Sequence, residues 1–289
     1  MDLKQNPFSF YDFLGYFTPG AIFLYIILIV CGHAMSPSEP LNVLKTTFGP
    51  GNGELYVPFI LLAYVSGHIL SFISSVTVER YSVWTLGYPS KYLTGDAYPK
   101  LSDLSPPKLL RATGHLFAAT ALLPISALDH VLGRALNVRD LYAKPLDPFL
   151  SAVLKTKVIE LAADLDLVKA AQGKGGIKNH DFFRLAYHYA VENCPNHLPK
   201  MQNYVALYGF LRTVALVLVV LFWFEVWHVI RHPLSLEANI ALVGGTSMLT
   251  FIAYCAFVKF YRRFTLEALM AIAVRERAAY KSLERAREG

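Results

Sequence analysis

Residues 204–227 read YVALYGFLRTVALVLVVLFWFEVW, and residues 238–260 read ANIALVGGTSMLTFIAYCAFVKF. Each stretch is apolar over about 20 residues, which is the length that a helix needs to cross a bilayer. Two more apolar stretches lie nearer the amino terminus, at 13–31 and 57–78. The sequence therefore predicts an all-α membrane protein with four transmembrane helices in two hairpins.

The composition favours membrane spans joined to a water-soluble part. Hydrophobic residues make up 54% of the 289 residues and charged residues only 17%, against roughly a quarter charged in a soluble domain. The formal net charge of +6 suits a protein that faces anionic lipid headgroups. The cysteines Cys31, Cys194 and Cys255 lie far apart, which predicts neither a disulfide framework nor a metal site. We therefore expect no metal and no cofactor.

The hydrophilic residues between the spans predict how the chain is organised. Residues 1–80 are expected to form an interfacial segment and the first hairpin, and residues 204–261 the second hairpin. Apolar residues recur at helical spacing within 81–203, which predicts a helical cytoplasmic domain inserted between the hairpins. Residues 262–289 predict a charged amphipathic helix, suited either to a coiled coil or to the inner membrane surface.

Lysine and arginine residues beside the spans predict the orientation in the membrane, because they are enriched on the cytoplasmic side. One side carries only Lys45 and Arg231. Both termini and the inserted domain are therefore expected in the cytoplasm. The residues on that side are Lys4, Arg80, Lys200, Arg212, Lys259, Arg262 and Arg263.

Residues 114–131, GHLFAATALLPISALDHV, are apolar and nearly long enough to span a membrane. His115, Pro124, Asp129 and His130 argue against a span, because charge at membrane depth is costly. A fifth span would also put the following positive residues on the wrong side. We interpret the segment as a buried helix of the cytoplasmic domain or as a helix lying on the membrane.

Four small or hydroxylated residues of the second span follow i, i+4, i+7, i+8 spacing and so share one helix face: Gly67, Ser71, Ser74 and Ser75. The face either lines a water-filled pore or packs closely and bonds to neighbouring helices. His68 is a candidate for function or for a hydrogen bond within the bundle. Glu225 would select cations as a ring in an oligomer, or it reaches the headgroup zone. The predicted pore-lining residues are Gly67, His68, Ser71, Ser74, Ser75 and Glu225.

A glycine-rich turn at 172–176 resembles an anion-binding nest. Backbone N–H groups beside flexible glycines can cradle a phosphate, and nearby basic side chains add positive charge. The turn lacks the GxxxxGK[ST] pattern of a P-loop, so a solvated surface loop is the alternative. The predicted ligand-binding residues are Lys169, Lys174, Lys178 and Arg184.

Three stretches carry a family resemblance: FYDFLGYFTPGAIFL (10–24), YVSGHILSFISSVTVER (64–80) and YHYAVENCPNHLPKMQNYVALYGFLRT (187–213). Together they resemble a loose group of bacterial four-span membrane proteins, some encoded beside antiphage defence genes. The resemblance implies an effector in the bacterial inner membrane that opens a pore when infection is sensed. In one type, the Hailong defence system, a nucleotidyltransferase is paired with a membrane channel that a DNA oligonucleotide controls.

The leading hypothesis is an oligomeric membrane effector of antiphage defence, either a ligand-gated ion channel or a membrane-disrupting protein. A nucleotide or oligonucleotide at the cytoplasmic domain would control it, and its expected partners are lipid, further copies of the chain and a cytoplasmic sensor protein. The second hypothesis is a membrane-tethered scaffold that recruits a partner. The third is an intramembrane enzyme using His68 with Glu225. We expect no enzyme, because motifs such as HExxH and GxSxG are absent from the sequence.

Overall fold

A computed structural model describes residues 12–35, 56–95, 108–165, 182–232 and 235–274. Almost all of these residues are helical, and none of them lies in a β-strand. The predicted all-α class is therefore confirmed for the part of the chain that the structure describes. Residues 1–11 of the predicted interfacial segment, 1–12, and residues 275–289 of the predicted tail helix, 262–289, lie outside the described ranges.

The first two long helices are each joined to a π-helical turn. Helix α1 spans Thr18–Met35 and follows the π-helical turn Phe13–Phe17. Helix α2 spans Tyr56–Ser74 and continues through the π-helical turn Ser75–Glu79 into α3 at Arg80–Leu86. The chain is thus helical without interruption from α2 to the end of α3.

Shorter helices follow α3, which stops at Gly87 because a φ of 90° suits glycine. A π-helical segment, Asp129–Ala135, follows directly on the short helix Leu123–Leu128. Two long helices complete the described chain, α10 at Leu198–Arg231 and α11 at Leu236–Ala273. The shorter helices are α4 Pro89–Leu93, α5 Lys108–Ala121, α6 Leu123–Leu128, α7 Arg139–Tyr142, α8 Pro148–Asp164 and α9 Phe182–Asn193.

Four helical stretches among the described residues are long and apolar enough to cross a membrane. They are Phe13–Val30, Val57–Leu93, Leu198–Arg231 and Leu236–Ala273. Each of the four predicted spans coincides with one of them, so the chain has the character of a membrane protein. The last two helices extend well beyond the predicted spans, because backbone hydrogen bonding in a helix does not require apolar side chains.

The described residues belong to two compact units. The first unit contains α1–α3, α5–α7 and the parts of α10 and α11 between residues 205 and 261. The second unit contains α4, α8, α9 and the remaining ends of α10 and α11. The predicted inserted domain, 81–203, contributes residues to both units, since residues 108–143 belong to the first.

Aromatic side chains form the centre of the first unit. Tyr254 and Phe257 of α11 are fully buried. The ring of Tyr81 lies 6.1 Å from that of Tyr254, and the ring of Tyr208 lies 6.4 Å from that of Phe257. Lipid tails are as apolar as these rings, so close packing and hydrogen bonds, rather than exclusion of water, hold such helices together.

Helices α1 and α2 run antiparallel and in close contact. Tyr25 packs against Phe59, whereas Tyr16, nearer the amino terminus, stacks on His68 at 4.0 Å between ring centroids. Gly67 lies between these contacts, and a Cβ atom added to it would lie 2.6 Å from the carbonyl carbon of Tyr16. The absence of a side chain at Gly67 therefore lets the two backbones approach each other.

We predict that Gly67→Ala lowers the unfolding free energy by about 1–3 kcal/mol, because the new methyl group meets the backbone of Tyr16. The matched control is Gly245→Ala on α11, where an added Cβ meets nothing within 4 Å. Alanine there should gain about 1 kcal/mol of helix propensity. Unfolding of the detergent-solubilised protein in SDS, followed by circular dichroism, measures both variants. Equal stability of the two would contradict the close contact of α1 with α2.

Helices α10 and α11 also run antiparallel over most of their apolar length. Near one end, Thr246 Oγ1 donates a hydrogen bond of 2.9 Å to Glu225 Oε1. Near the other, the rings of Tyr208 and Tyr261 lie 5.1 Å apart. The two helices predicted to form the second hairpin therefore pack side by side.

Residues 114–131 do not form one straight helix. Helix α5 ends at Ala121, and the next helical stretch, 123–135, is bent from it by 94°. Pro124 lies in the first turn of α6, where its missing N–H is tolerated but prevents α5 from continuing. Leu122 and Ile125 are buried in the core of the first unit. We call residues 108–135 the bent segment.

The second unit has a hydrophobic core of its own. Helix α8 begins there because the Asp147 carboxylate accepts a hydrogen bond of 2.8 Å from the Phe149 N–H. Pro148 follows the cap in the first turn, a position that needs no N–H donor. The fully or nearly fully buried core residues are Leu93, Leu154, Leu161, Ala186, Leu269 and Ile272.

A carboxylate near the end of α11 joins the start of α10 within the second unit. His197 Nδ1 lies 2.8 Å from Glu267 Oε1, and Lys200 Nζ lies 3.8 Å from the same oxygen. The Lys200 side chain is 64% exposed, so its ion pair with Glu267 contributes little to stability. This contact therefore serves mainly to orient the two helix ends.

Candidate functional site

Two clusters of charged and hydroxylated side chains lie among the apolar helices of the first unit. We call them the α2–α10 cluster (Ser71, Ser74, Glu79, Arg212 and Thr213) and the Asp129 cluster (Asp129, Arg139 and Tyr142). A charge among apolar helices is costly unless it is paired, and such charges mark functional sites in membrane proteins. Both clusters are therefore candidates.

Arg212 of α10 is the centre of the α2–α10 cluster, and its side chain is only 11% exposed. Its Nη1 donates to Oε2 of Glu79, which forms an ion pair. Its Nε donates to Ser74 Oγ at 3.1 Å, and its Nη2 donates to the Ser71 carbonyl at 3.2 Å. One guanidinium group therefore binds three residues of the α2 region.

The π-helical turn at Ser75–Glu79 directs Glu79 toward Arg212. A π-helical turn holds one residue more than an α-helical turn, which rotates the following side chains by about 100° around the helix. Glu79 ends this turn and so shares a face with Ser71 and Ser74. The local helix geometry thus places an acceptor of opposite charge beside the arginine.

Hydroxyl groups complete the α2–α10 cluster. Ser74 is fully buried, donates to the Ser71 carbonyl at 2.8 Å and lies 3.3 Å from Thr213 Oγ1. Thr213 donates in turn to the Gly209 carbonyl at 2.9 Å. The cluster can hold α2 against α10 in one arrangement, and separation of these helices would release a guanidinium group and a carboxylate.

The predicted pore-lining residues of α2 have different surroundings. Gly67 and Ser74 are buried, whereas Ser71 and Ser75 are half-buried. Gly67 lies against α1, and Ser71 and Ser74 contact Arg212. The residues of this helix face therefore contact two different helices, α1 and α10, within one copy of the chain. Their role in a pore stays a prediction.

His68 and Glu225, the pair of the enzyme hypothesis, contact different partners. His68 is exposed, stacks on Tyr16 and meets Tyr64 edge-on at 4.6 Å between ring centroids. Glu225 is 6% exposed and bonds to Thr246 through Oε1. Its other oxygen, Oε2, is buried without a hydrogen-bond partner among the described residues.

Most of the predicted ligand-binding residues lie outside the described ranges. Lys169, Lys174 and Lys178 fall within 166–181, which the structure does not describe. Arg184 is exposed on α9. The predicted anion site therefore stays a prediction.

Asp129 is 1% exposed, and three hydrogen bonds hold its carboxylate. Arg139 Nε donates to Oδ1 at 3.1 Å, and Arg139 Nη2 donates to Oδ2. Tyr142 Oη donates to Oδ1 at 2.8 Å. A Cβ atom on Gly133 would lie 2.5 Å from Asp129 Oδ1, so glycine makes room for the cluster. Two parallel bonds from one guanidinium give this pair a fixed geometry.

The environment of the Asp129 cluster favours the neutral phenol and the charged guanidinium. Burial, the hydrogen bond to Asp129 and the Asp129 charge together raise the pKa of Tyr142 well above its ordinary value of 10. Burial lowers the pKa of Arg139, but the hydrogen bond and the charge of Asp129 outweigh burial and raise it. The cluster is therefore built around a charged pair and a proton donor.

We expect the unfolding free energy to fall as the pH rises above about 10. The pKa of Tyr142 is raised in the folded state, so the unfolded chain loses its proton first. The stabilisation that the neutral phenol gives is complete at pH values below the pKa of Tyr142 in the unfolded chain. It is lost progressively as the pH rises above that pKa. Unfolding in SDS between about pH 8 and about pH 11 measures the loss. Tyr142→Phe should show a smaller decline than the control Tyr88→Phe, which changes an exposed tyrosine; equal declines would exclude Tyr142 as the cause.

The sequence carries little sign of these pairings. Arg212 counts there as a flanking positive residue, and its partner Glu79 lies 133 residues away. Asp129 argues against a span, but nothing local identifies Arg139 and Tyr142 as its partners. The one available signal is that Glu79 and Arg212, of opposite charge, each interrupt or end an apolar stretch.

The function of these clusters is not given by a matching family. Comparison of the chain with protein-family models, with characterised proteins and with solved structures finds no match. The resemblance to antiphage effectors therefore stays a prediction from sequence. The geometry of the first unit is the basis on which a function is argued.

Proposed function

We propose that the chain is an oligomeric effector of bacterial antiphage defence that acts as a ligand-gated ion channel. The observation that carries the proposal is the Arg212–Glu79 ion pair among helices apolar enough to span a membrane. Ionisable residues within membrane spans are costly, and they commonly mark ion pathways and switching elements. The proposed gate is the α2–α10 cluster.

The proposed gating has two states. In the closed state Arg212 binds Glu79, Ser71 and Ser74, as in the structure. In the open state α2 and α10 separate, and the released hydroxyl groups and charges line a water-filled path. A ligand shifts the population toward the state that it binds better. The proposed ligand is a nucleotide or short oligonucleotide, attracted by the basic residues predicted around Lys174.

The proposal also assigns a location and partners. The chain would lie in the bacterial inner membrane with both termini cytoplasmic, and the residues of 81–203 that belong to the second unit would supply the ligand-binding domain. Four spans enclose little space, so the pore requires several copies around a symmetry axis. Residues 262–289 would contribute to assembly, and a cytoplasmic sensor protein would supply the ligand.

Ion flux through purified protein in liposomes tests the proposal. We expect flux only when short oligonucleotides or cyclic nucleotides are present. Ser71→Cys, in a variant without the native cysteines, should react with a charged thiol reagent and change the flux only in the presence of ligand. The matched control is Phe72→Cys, on the exposed face of α2. Labelling at site 72 should leave the flux unchanged, and equal behaviour of the two sites would exclude a gate at Ser71.

A membrane-tethered scaffold is the second candidate. The observation that favours it is the complete burial of Ser74, whose hydroxyl bonds within the bundle as a packing residue would. A scaffold supports no current. Absence of flux under every ligand condition, with the protein folded and inserted, would therefore favour the scaffold over the channel.

A further inference from the structure

We infer that the bent segment, residues 108–135, is a re-entrant element whose outer face contacts the acyl chains of the bilayer. It would enter the membrane beside the four spanning helices and turn back at its 94° bend. Re-entrant elements occur at membrane depth only where their free backbone groups are bonded to protein or line a water-filled cavity. The inference does not depend on whether the chain conducts ions.

Side chains bond the backbone carbonyls next to the bend. A helix end leaves its last carbonyl groups without partners in the helix. The Ala121 carbonyl accepts a hydrogen bond of 2.8 Å from the indole N–H of Trp223, and the Ala119 carbonyl accepts one of 2.7 Å from Ser126 Oγ. In water these acceptors would need no such partners. Their satisfaction by protein is what a break in a lipid environment requires.

The bend lies beside the apolar part of the third candidate span. Trp223 belongs to residues 213–224 of α10, which include no charged residue. Leu122 and Ile125 of the bent segment share one buried cluster with Val219. The bend is therefore at the level of side chains that belong in the hydrocarbon region.

The outer face of the bent segment is apolar and open. Leu116 is 70% exposed and Phe117 is 77% exposed. Residues 112–128 include no lysine, arginine, aspartate or glutamate. For comparison, Leu249 on the outer face of α11 is 58% exposed. The bent segment and the candidate span α11 therefore both expose large apolar side chains. Exposed apolar side chains of this size are suited to acyl chains rather than to water.

Several polar groups of the bent segment between residues 115 and 129 are bonded to protein, whereas His130 and Arg134 in its π-helical end are exposed. The His115 ring meets Trp84 edge-on at 4.3 Å between centroids. Thr120 donates to the Leu116 carbonyl at 2.9 Å within its own helix. Asp129, at the start of the π-helical segment, is buried and paired with Arg139. Around the bend, the segment therefore presents apolar side chains outward and keeps these polar groups bonded.

Spin-label accessibility in liposomes tests the inference on the full-length chain. A nitroxide is attached at Phe117→Cys, and separately at Leu116→Cys, in a variant whose native cysteines are replaced by alanine. Collisions with oxygen, which concentrates in lipid, are compared with collisions with a water-soluble nickel chelate. The lipid control is Leu249→Cys and the water control is Ala152→Cys, on the exposed face of α8.

We expect the labels at sites 116 and 117 to match the Leu249 control, with oxygen access well above nickel access. Nickel access equal to that of the Ala152 control at both sites would overturn the inference, because the face would then lie in water. Exclusion of both reagents would also overturn it, because protein, such as a second copy of the chain, would then cover the face. Agreement between sites 116 and 117 would exclude a local effect of either label.

Discussion

Arg212→Gln is expected to lower the unfolding free energy by about 3 kcal/mol, because it leaves Glu79 as a partly buried charge without its partner. Glutamine retains a donor for Ser74 but cannot neutralise the carboxylate. Unfolding of the detergent-solubilised protein in SDS gives the difference. The matched control is Arg80→Gln, an exposed arginine next to Glu79, which should change stability by less than about 0.5 kcal/mol.

A double-mutant cycle distinguishes the ion pair from general packing. Glu79→Gln with Arg212→Gln removes both charges and should be more stable than either single variant, since no unpaired charge remains. Additive losses in the double variant would mean that the two side chains do not interact. In liposomes, Arg212→Gln should also conduct without ligand if the cluster is a gate. Loss of stability without leakage would support the pair and contradict the gate.

Asp129→Asn is expected to lower the unfolding free energy by about 3–5 kcal/mol, the largest effect among the variants considered. Asparagine cannot accept two charge-assisted hydrogen bonds from Arg139, and it leaves the guanidinium without its counter-charge. Tyr142 would also lose its charged acceptor. The control is Asp140→Asn, since Asp140 is exposed in the same region and should tolerate the change within about 0.5 kcal/mol.

Arg139→Lys tests the geometry of this pair. Lysine keeps the positive charge but cannot donate the two parallel bonds of a guanidinium. We expect an intermediate loss of unfolding free energy in the same SDS assay. A loss as small as that of Asp140→Asn would show that the cluster needs only a charge and not the bidentate contact.

The spans could be predicted because hydropathy and length report directly on the solvent around a helix. The apolar stretches at 204–227 and 238–260 lie within α10 and α11. The ends of these helices could not be predicted in the same way. Helix α11 continues through Arg262 to Ala273 because backbone hydrogen bonding does not stop where the side chains become polar.

The polar contacts could not be predicted because tertiary packing selects the partners. Periodicity places Ser71 and Ser74 on one face, but it cannot show that Arg212 occupies that face. Pro124 indicates a break in residues 114–131, yet it does not show that the chain turns by 94° or that Trp223 bonds the free carbonyl. Hydropathy reports on burial, whereas these pairings depend on which helices are neighbours.

The contact of α1 with α2 has a consequence for synthesis of the chain. Both helices are complete once residue 74 has been translated, so they can contact each other before α10 exists. Glu79 follows at once, but Arg212 is translated 133 residues later. At about 5–20 residues per second, the carboxylate waits on the order of ten seconds for its counter-charge. During that interval the carboxylate at the α2 end lacks the guanidinium that neutralises it in the folded chain.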